Sequence, residues 1–558
     1  MKEKICPFLN LVFGKRVLFI SLLFLVFNAQ SQTISGTVSD EIGSKLEGVS
    51  ILIKGTEKGV ITLAGGKYSI TAGSNAVLIF SFLGYEKLEI PVSNRTIIDA
   101  KLVKEVVSLD EVVVSALGIK KQARGLGYSS TNVNTEQLSV NRTSNPINTL
   151  QGRVAGLNVT SLGTGPGGSS KIRIRGQSSI NGQNNPLIVI NGVPVDNTNF
   201  NTDERGVKCG GSTGGGGEGF SSINPDDIEG MSILKGAPAA ALYGSRAKDG
   251  VIMITTKTRA KGNGLGVTYN MNYTTDTPLD FTDYQKVYGQ GENGVRPTAP
   301  NPTSGEWSFG EKITGGMSHT LYNTAGIPYV AQGSRIKEFY RTGQNLANTI
   351  TLSSGSDKGG IYLSLSGVEN KGIMPNNTFN RKGINLGFTQ NLTDKFSFQG
   401  NVNYTNELNT NPPNIANQDN SIPTTLMALS NTMPLSVFND NKYNPATGNE
   451  YIYSRFMNRT NPYWVMAEQF HNIKRDRILG NIAAKYTIIY WLYVQGRFGQ
   501  DYWRRAEDAN NFPTGQASRA STIAGCVNGV FRHASPRFDV TILDFFVCAH
   551  HQVMYIAV

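Results

Sequence analysis

Long stretches in which apolar and polar side chains alternate are the feature that most constrains this chain. The pattern begins in VTYNMNY, residues 267–273, and recurs at residues 361–366 and 384–389. Successive side chains of a strand point to opposite faces, so each segment has one apolar and one polar face. Barrel strands that cross a membrane show this pattern, with apolar side chains toward lipid. A soluble sandwich also alternates, but rarely combines tyrosine-rich outer faces with such polar inner faces, and we favour the barrel.

The segments between these strands read as turns and loops. NLTDKFSFQGNVNY places a tight polar turn at residues 393–395, and the long polar stretch 409–421 is expected of an extracellular loop. Residues 487–490 (TIIY) are apolar where the parallel with NLTDK predicts a polar turn.

The first 31 residues are typical of an export signal. Lys15 and Arg16 precede an apolar run at residues 17–27, and Ala29-Gln30-Ser31 is a small-x-small cleavage site. The run is shorter than the about 20 residues that a spanning helix needs. Removing this leader lowers the formal charge from +11 to +8, because it carries four positive residues and one negative residue. The remaining positive residues are scattered, so we expect no nucleic-acid partner.

Cysteine and histidine usage argues against an enzyme. Three widely spaced cysteines remain after the leader, Cys209, Cys526 and Cys548, and their spacing predicts neither a disulfide framework nor a zinc site. His550 and His551 beside Cys548 are better explained as part of an aberrant or disordered tail than as metal ligands. We therefore predict no catalytic site, no cofactor and no metal.

A glycine pattern at residues 161–176 (SLGTGPGGSSKIRIRG) raises the question of a nucleotide site. Gly163, Gly165 and Gly168 fit G-x-G-x-x-G, but such a loop must open a helix to hold a pyrophosphate. Residues 171–176 alternate as a strand instead. We interpret the loop as a turn between two strands.

Residues 32–104 predict a small β-sandwich. Apolar residues alternate at 49–53, 88–92 and 98–102, the run 77–83 is apolar apart from Ser81, and residues 64–66 (Ala-Gly-Gly) mark a turn. The module reads as a packed adaptor domain rather than a site of chemistry.

The connector at residues 108–121 (SLDEVVVSALGIKK) has a β-prone core between charged flanks. An extended segment of this kind is suited to adding a strand to a partner's open sheet edge. An ordinary edge strand of the sandwich explains the residues equally well.

Residues 125–260 predict a mixed α/β unit. Asn145-Pro146 caps a short helix that ends at Gly156, and a second helical turn stops at Gly244. Strands are predicted near residues 157–161, 171–176, 187–190, 228–235 and 251–256.

This order of leader, sandwich, extended segment, α/β unit and barrel strands resembles the SusC/RagA family of TonB-linked (TonB-dependent) outer-membrane transporters. The matching segments are KIRIRGQSSI, PLIVINGVPVDN and ILKGAPAAALYGSRAKDGVIMITTK, and the resemblance covers residues 1 to about 505. It marks as plug-motif positions Arg173, Arg175, Gly176, Asn191, Gly192, Lys235, Gly236, Tyr243 and Gly244. Asn191 stands where an Asp is more common.

The resemblance also bears on the connector and the first domain. It implies that the connector carries a TonB box, which turns its interpretation toward strand addition, and that the sandwich is a carboxypeptidase-regulatory-like module. The implied box residues are Asp110, Glu111, Val112, Val113, Val114 and Ser115.

The expected chain is mainly β, with an incomplete transmembrane antiparallel β-barrel. Its predicted parts are a signal peptide (1–31), the sandwich (32–104), a TonB-box linker (105–124), the α/β plug (125–260), a partial barrel (261–505) and an atypical tail (506–558). From Gly266 onward 293 residues remain, whereas a plugged barrel of about 22 strands needs more than about 400. We therefore expect an amino-terminal part of a larger transporter, with a frame change affecting its end.

The resemblance implies a function in the cell outer membrane. The expected role is import of oligosaccharides or peptides, driven by the TonB periplasmic domain and assisted by a SusD-like surface lipoprotein, with outer-membrane lipid around the barrel. The alternative is a β-adhesin that binds at the surface without transport.

Overall fold

The chain forms two compact units, Met1–Glu111 and Val112–Val558. In this computed structural model the described residues are 31–41, 43–56, 58–82, 85, 87–103, 112–114, 120–122, 129–133, 145–161, 163, 165–180, 184–196, 219–236, 243–260, 264–299, 307–322, 324–414, 420–452, 460–516 and 530–549. The predicted signal peptide lies outside them, apart from Ser31. None of the helices among the described residues is long and apolar enough to cross a membrane.

The first unit is a β-sandwich, as predicted. Its strands are β1 (Ser31–Ser39), β2 (Ser50–Ile53), β3 (Gly59–Ile61), β4 (Lys67–Gly73), β5 (Val77–Ser81), β6 (Leu88–Pro91) and β7 (Ala100–Lys101). One sheet has the order β4-β1-β7 and the other β3-β2-β5-β6. Alternate side chains such as Ile34, Ile51 and Phe80 form the core between them. The apolar run of β5 is fully buried on one face only, since Val77 and Ile79 are half-buried.

The second unit begins with a short antiparallel pair, β8 (Val112–Val114) and β9 (Lys120–Gln122). The plug region follows, with strands β10 (Ser129–Val133), β11 (Leu157–Ser161), β12 (Ser170–Ile174), β13 (Leu187–Ile190), β14 (Val193–Val195), β15 (Ile228–Lys235) and β16 (Val251–Thr256). Five of them form one mixed sheet in the order β10-β15-β16-β13-β14, while β11 and β12 form a hairpin. The strands predicted in this region are therefore confirmed.

The described helical segments of the plug include several short 3-10 turns. Asn145 caps Pro146–Leu150 by accepting a hydrogen bond from the Ile147 amide, as the Asn-Pro signal predicts, but this turn ends at Leu150, before the predicted stop at Gly156. Tyr243 is helical, and Gly244 directly after it begins the 3-10 turn Gly244–Ala247. Its φ of +71° suits glycine at this first position. Residues 237–242, on which the predicted helical turn falls, lie outside the described residues.

A large antiparallel sheet, which we call the wall, follows the plug. Its strands are β17 (Gly264–Asp276), β20 (Gly343–Ser356), β21 (Gly359–Lys371), β22 (Thr378–Asn391), β23 (Phe396–Thr410), β24 (Phe470–Ile489), β25 (Leu492–Phe512), β26 (Val530–Ala534) and β27 (Arg537–Ala549). The connection after β17 contains the hairpin β18 (Ser318–Leu321) and β19 (Thr324–Pro328), and helix α1 (Arg335–Phe339). The connection after β23 contains α2 (Ile422–Ala428), α3 (Leu435–Asp440) and α4 (Pro462–Glu468).

The two faces of the wall differ as the alternation predicts. Tyr269 and Met271 point outward and are each 60% exposed, while Tyr362 and Asn385 point inward and are buried. The tight turn predicted at residues 393–395 joins β22 to β23. The apolar TIIY segment runs to the tip of the β24–β25 hairpin, where Tyr490 is exposed.

The wall extends beyond the predicted end of the barrel region. Residue 505 falls inside β25, and both β26 and β27 pair with β25 along successive parts of its length. Residues 537–549 alternate enough to continue the sheet, although inward positions such as Val540 and Ile542 are apolar. Most of the described part of the predicted tail is therefore strand.

The connections at one end of the wall form a folded layer that the sequence analysis did not predict. The stretch 409–421 was expected to be a long polar loop, but the chain after it carries α2, α3 and α4. These pack through an apolar core that includes Leu426, Met433, Phe438, Val465 and Phe339. Apolar residues at helical spacing in residues 422–438 were the signal for this layer.

Candidate functional site

The plug-motif residues fall into two groups at opposite ends of the plug sheet. One group surrounds the end of β15: Arg173, Arg175, Gly176, Lys235, Gly236, Tyr243 and Gly244. The Lys235 Nζ donates a hydrogen bond of 2.7 Å to the carbonyl of Ala155. Burial lowers the pKa of Lys235, and the positive charge of Arg175 lowers it further. The other group, Asn191 and Gly192, lies against the wall.

Asn191 joins the plug to two wall strands through amide hydrogen bonds. Its Nδ2 donates to Oδ1 of Asn401 at 3.2 Å, and its carbonyl accepts a 2.5 Å hydrogen bond from Nδ2 of Asn481. Within the plug, its Oδ1 accepts from the Thr256 amide at 2.9 Å. An aspartate here could not donate to Asn401, so the asparagine fits this uncharged contact.

A second contact joins a plug 3-10 turn to charged residues on the inward face of the wall. Nη2 of Arg475 donates to the hydroxyl oxygens of Ser221 and Ser222, each at 3.0 Å, and pairs with Glu407 at 2.5 Å. Arg381 donates to the Ser221 carbonyl. Because buried charges need such partners, this cluster fixes the turn on the wall.

Sequence reasoning missed the second contact. The available signal was that Arg381, Glu407 and Arg475 share the phase of their strands opposite to that of apolar residues such as Ile384, Tyr404 and Ile478. A charge at such a position requires a buried partner, but the pattern does not identify the partner.

A third contact is the corner Asn224–Asp227, which precedes β15. Nδ2 of Asn224 donates to Oγ1 of Thr349 at 3.1 Å. The Tyr362 hydroxyl donates to Oδ1 of Asp227 at 3.0 Å. Asp227 is 1% exposed, and burial raises the pKa of its carboxyl group to about 6.

Gly165 and Gly167 lie where a plug loop comes close to the wall. They belong to the loop between β11 and β12, as predicted, and Gly163, Gly165 and Gly167 have positive φ. A side chain at Gly167 would collide with the ring of Phe379 on β22. The same applies to Gly192 and the guanidinium of Arg497. The loop joins strands, and none of its described residues begins a helix.

A cavity of about 730 Å³ opens between this loop, the wall and the connections above it. Its described lining combines side-chain amides and hydroxyls with glycine, proline and apolar residues, and Asp276 is the one acidic or basic residue among them. The lining amides belong to Asn145, Asn148, Asn345, Asn370 and Asn377, and Tyr340 contributes an aromatic side chain. Such a lining suits an uncharged, polar ligand.

The predicted TonB box is only partly described. Asp110, Glu111 and Ser115 lie outside the described residues, whereas Val112, Val113 and Val114 form β8. Among the described residues, β8 pairs with β9. Strand addition to a partner by this segment stays a prediction. No group of three or more potential metal ligands occurs among the described residues.

Two family profiles match the chain. One described as TonB-dependent Receptor Plug Domain matches residues 122–251, and one described as CarboxypepD_reg-like domain matches residues 34–114.

Whole-chain comparisons point in the same direction. The chain is 32% identical to TonB-dependent receptor P39 of Formosa agariphila over 69% of its length and 34% of the relative's. It is 31% identical to TonB-dependent receptor SusC of Bacteroides thetaiotaomicron over 72% of its length and 36% of the relative's. The chain thus spans about a third of the length of these relatives.

Solved structures share the fold. A structure of the RagAB peptide importer in the open-open state covers 72% of this chain, and the match covers 44% of that chain, with a TM-score of 0.50 and 18% identity. At this identity the likeness concerns the fold alone.

Proposed function

The chain belongs to the SusC-like TonB-dependent receptors, and on that premise we propose that it contributes to importing bulky nutrients, oligosaccharides or peptides, across the cell outer membrane. The observation that carries the proposal is a plug held by buried polar contacts on the inward face of a wall whose outward face is apolar. In this arrangement the position of the plug controls the passage of a solute along the inward face of the wall.

The outward face of the wall supports a location in lipid. Outward residues on neighbouring strands are apolar at matching levels, as with Leu386 on β22 and Val402 on β23, which pair in register. Charged outward residues such as Lys474 and Asp476 lie toward one end of β24. An apolar band bounded by polar residues is what a bilayer requires.

The cavity supports a role in holding the imported solute. Its floor is the glycine loop of the plug and its sides are wall strands, so a bound molecule would contact both. Oligosaccharides and peptide backbones are both uncharged and rich in hydrogen-bonding groups, which fits the amide and hydroxyl lining.

The box region supports coupling to the periplasmic domain of TonB. Among the described strands β8 pairs with β9 alone, so a strand of a partner protein could be added along its other edge. Further along the chain, β10 lies at the edge of the plug sheet and pairs only with β15 among the described strands. A force applied to the box would therefore act first on β10, which is hydrogen-bonded along one edge among the described strands.

We also propose a SusD-like lipoprotein as the surface partner. The folded connections include aromatic side chains that are strongly exposed, such as Phe281 and Phe309. Exposed aromatic residues on a structured layer are typical of protein interfaces. The proposed role needs no catalytic group or cofactor in the chain.

Deleting residues 110–115 tests the proposal. We expect the deletion to abolish uptake of labelled oligosaccharides and peptides by cells that produce the protein, while binding at the cell surface persists. In parallel, Val113→Pro should weaken binding of the isolated TonB periplasmic domain at least about tenfold, because proline cannot complete a strand's hydrogen bonds. Calorimetric titration measures this binding.

Val113→Ile is the matched control, since it keeps the backbone amide and the β-prone side chain. It should bind TonB as the unmodified chain does. Uptake that continues after the deletion would contradict coupling to TonB. Surface binding without any uptake by the unmodified chain would favour a surface adhesin.

A further inference from the structure

The corner before β15 places two adjacent carboxylates at the buried junction of plug and wall. Asp226 and Asp227 are 6% and 1% exposed. Tyr362 on β21 donates a hydrogen bond to the Asp227 carboxyl group at 3.0 Å. The Lys257 amide donates to the Asp227 carbonyl at 2.8 Å, which ties the corner to the end of β16. The corner thus anchors β15 and β16, two adjacent strands of the plug sheet, to the wall.

Few charges surround the Asp227 carboxyl group. From the plug, Asp226 disfavours its ionised form and Lys257 favours it, with Lys257 Nζ donating to the Asp226 carbonyl at 2.7 Å. From the wall, Tyr362 is the titratable neighbour, and Arg381 lies within electrostatic range. No side-chain ion pair to Asp227 occurs among the described residues, unlike the pairing of Glu407 with Arg475.

We propose that the Asp227 corner is a proton-binding site that sets how tightly the plug docks on the wall, with tighter docking when the carboxyl group is protonated. The site regulates docking and lies apart from the cavity and the box. The proposal concerns docking alone, so its test stands whether or not the chain imports a solute.

The direction follows from linkage. Burial raises the pKa of Asp227 from 3.8 to about 6 in the docked state. In an undocked plug the carboxyl group meets water and returns toward its ordinary value. The docked state therefore binds the proton more tightly, and docking is strongest at low pH and weakens as the pH rises through about 6. Between about pH 5 and about pH 7.5 the docking equilibrium should fall about tenfold.

Hydrogen–deuterium exchange of the full chain in detergent micelles tests this inference. The measured quantity is the protection factor of the β15 amides, corrected for the pH dependence of intrinsic exchange. In the unmodified chain we expect protection to fall about tenfold from about pH 5 to about pH 7.5. In Asp227→Asn the protection should be independent of pH over this range. Glu229→Gln, which changes an exposed carboxylate of the same strand, should keep the pH dependence.

Tyr362→Phe is a second variant that keeps the fold at the corner. It removes a hydrogen bond that favours the ionised carboxylate, so the midpoint of the pH dependence should move to higher pH. If Asp227→Asn does not fold, the test relies on Tyr362→Phe. A midpoint of the pH dependence that is the same in Tyr362→Phe as in the unmodified chain overturns the inference. It is equally overturned if Asp227→Asn keeps the pH dependence, or if protection in the unmodified chain rises with pH.

Discussion

The outward and inward faces of the same wall strands follow different rules. On β22, Ile384 points outward and is 47% exposed, whereas its neighbour Asn385 points inward and is 1% exposed. Toward lipid, any apolar side chain is suitable, since hydrocarbon offers no directional partner. Toward the plug, each polar group needs a particular partner at hydrogen-bonding distance. The outward face is therefore determined by composition, and the inward face by pairs of residues far apart in sequence.

Removing an inward arginine should have the largest effect on stability. Arg475→Met breaks the contact with Ser221 and Ser222 and removes the buried ion pair between Arg475 and Glu407. We expect the free energy of unfolding to fall by about 3 to 5 kcal/mol, the usual cost of breaking a buried pair. Urea titration of the detergent-solubilised chain, followed by tryptophan fluorescence, measures the change.

The neighbouring residue provides the control for this prediction. Lys474 points outward and is exposed. Lys474→Met also replaces a positively charged side chain by methionine, but it removes no contact with the plug. It should alter the free energy of unfolding by less than about 0.5 kcal/mol. Equal losses in the two variants would mean that the inward face is not special.

A charge on the outward face should have the next largest effect. Ile384→Lys places an ammonium group within the apolar band, and we expect a loss of about 2 to 4 kcal/mol when the chain is folded into lipid vesicles. Ile384→Leu should be nearly neutral, because the lipid face requires only apolar character. The comparison would break if Ile384→Lys were tolerated in vesicles, since the outward face would then not contact lipid.

Much of the fold could be predicted because its elements depend on local rules. Period-two alternation predicted the outward residues of β17 and β22, and turn residues predicted the β22–β23 connection. Alternation within the first unit predicted its sandwich. The folded layer after β23 was not predicted, because the polar stretch 409–421 indicated a loop. The residues that follow this stretch have apolar side chains at helical spacing, which is the signal for the layer.

The candidate site was less predictable, and the reason is physical. Resemblance marked Asn191, but its pairing with Asn401 and Asn481 depends on how a plug turn meets strands more than 200 residues away. The partners of Asp227 could not be predicted from the sequence for the same reason. Local pattern shows which positions are buried and polar, while the partner of each is decided by tertiary packing.

The glycine loop allows the smallest and most specific test of the inward face. Gly163 and Gly167 both have positive φ, at +70° and +69°, but only Gly167 lies against Phe379. Gly163→Ala should therefore cost about 1 kcal/mol from backbone strain alone. Gly167→Ala should cost about 2 to 3 kcal/mol, because its methyl group also meets the ring.

Adding Phe379→Leu to each glycine variant completes the test, with urea titration as the measurement. If close approach causes the extra cost, the smaller side chain should recover about 1 kcal/mol in the Gly167→Ala background, relative to its effect alone. It should recover nothing with Gly163→Ala, where the added methyl group meets open space. Independent effects in both backgrounds would show that the loop does not press on β22, and the glycines would then serve the turn alone.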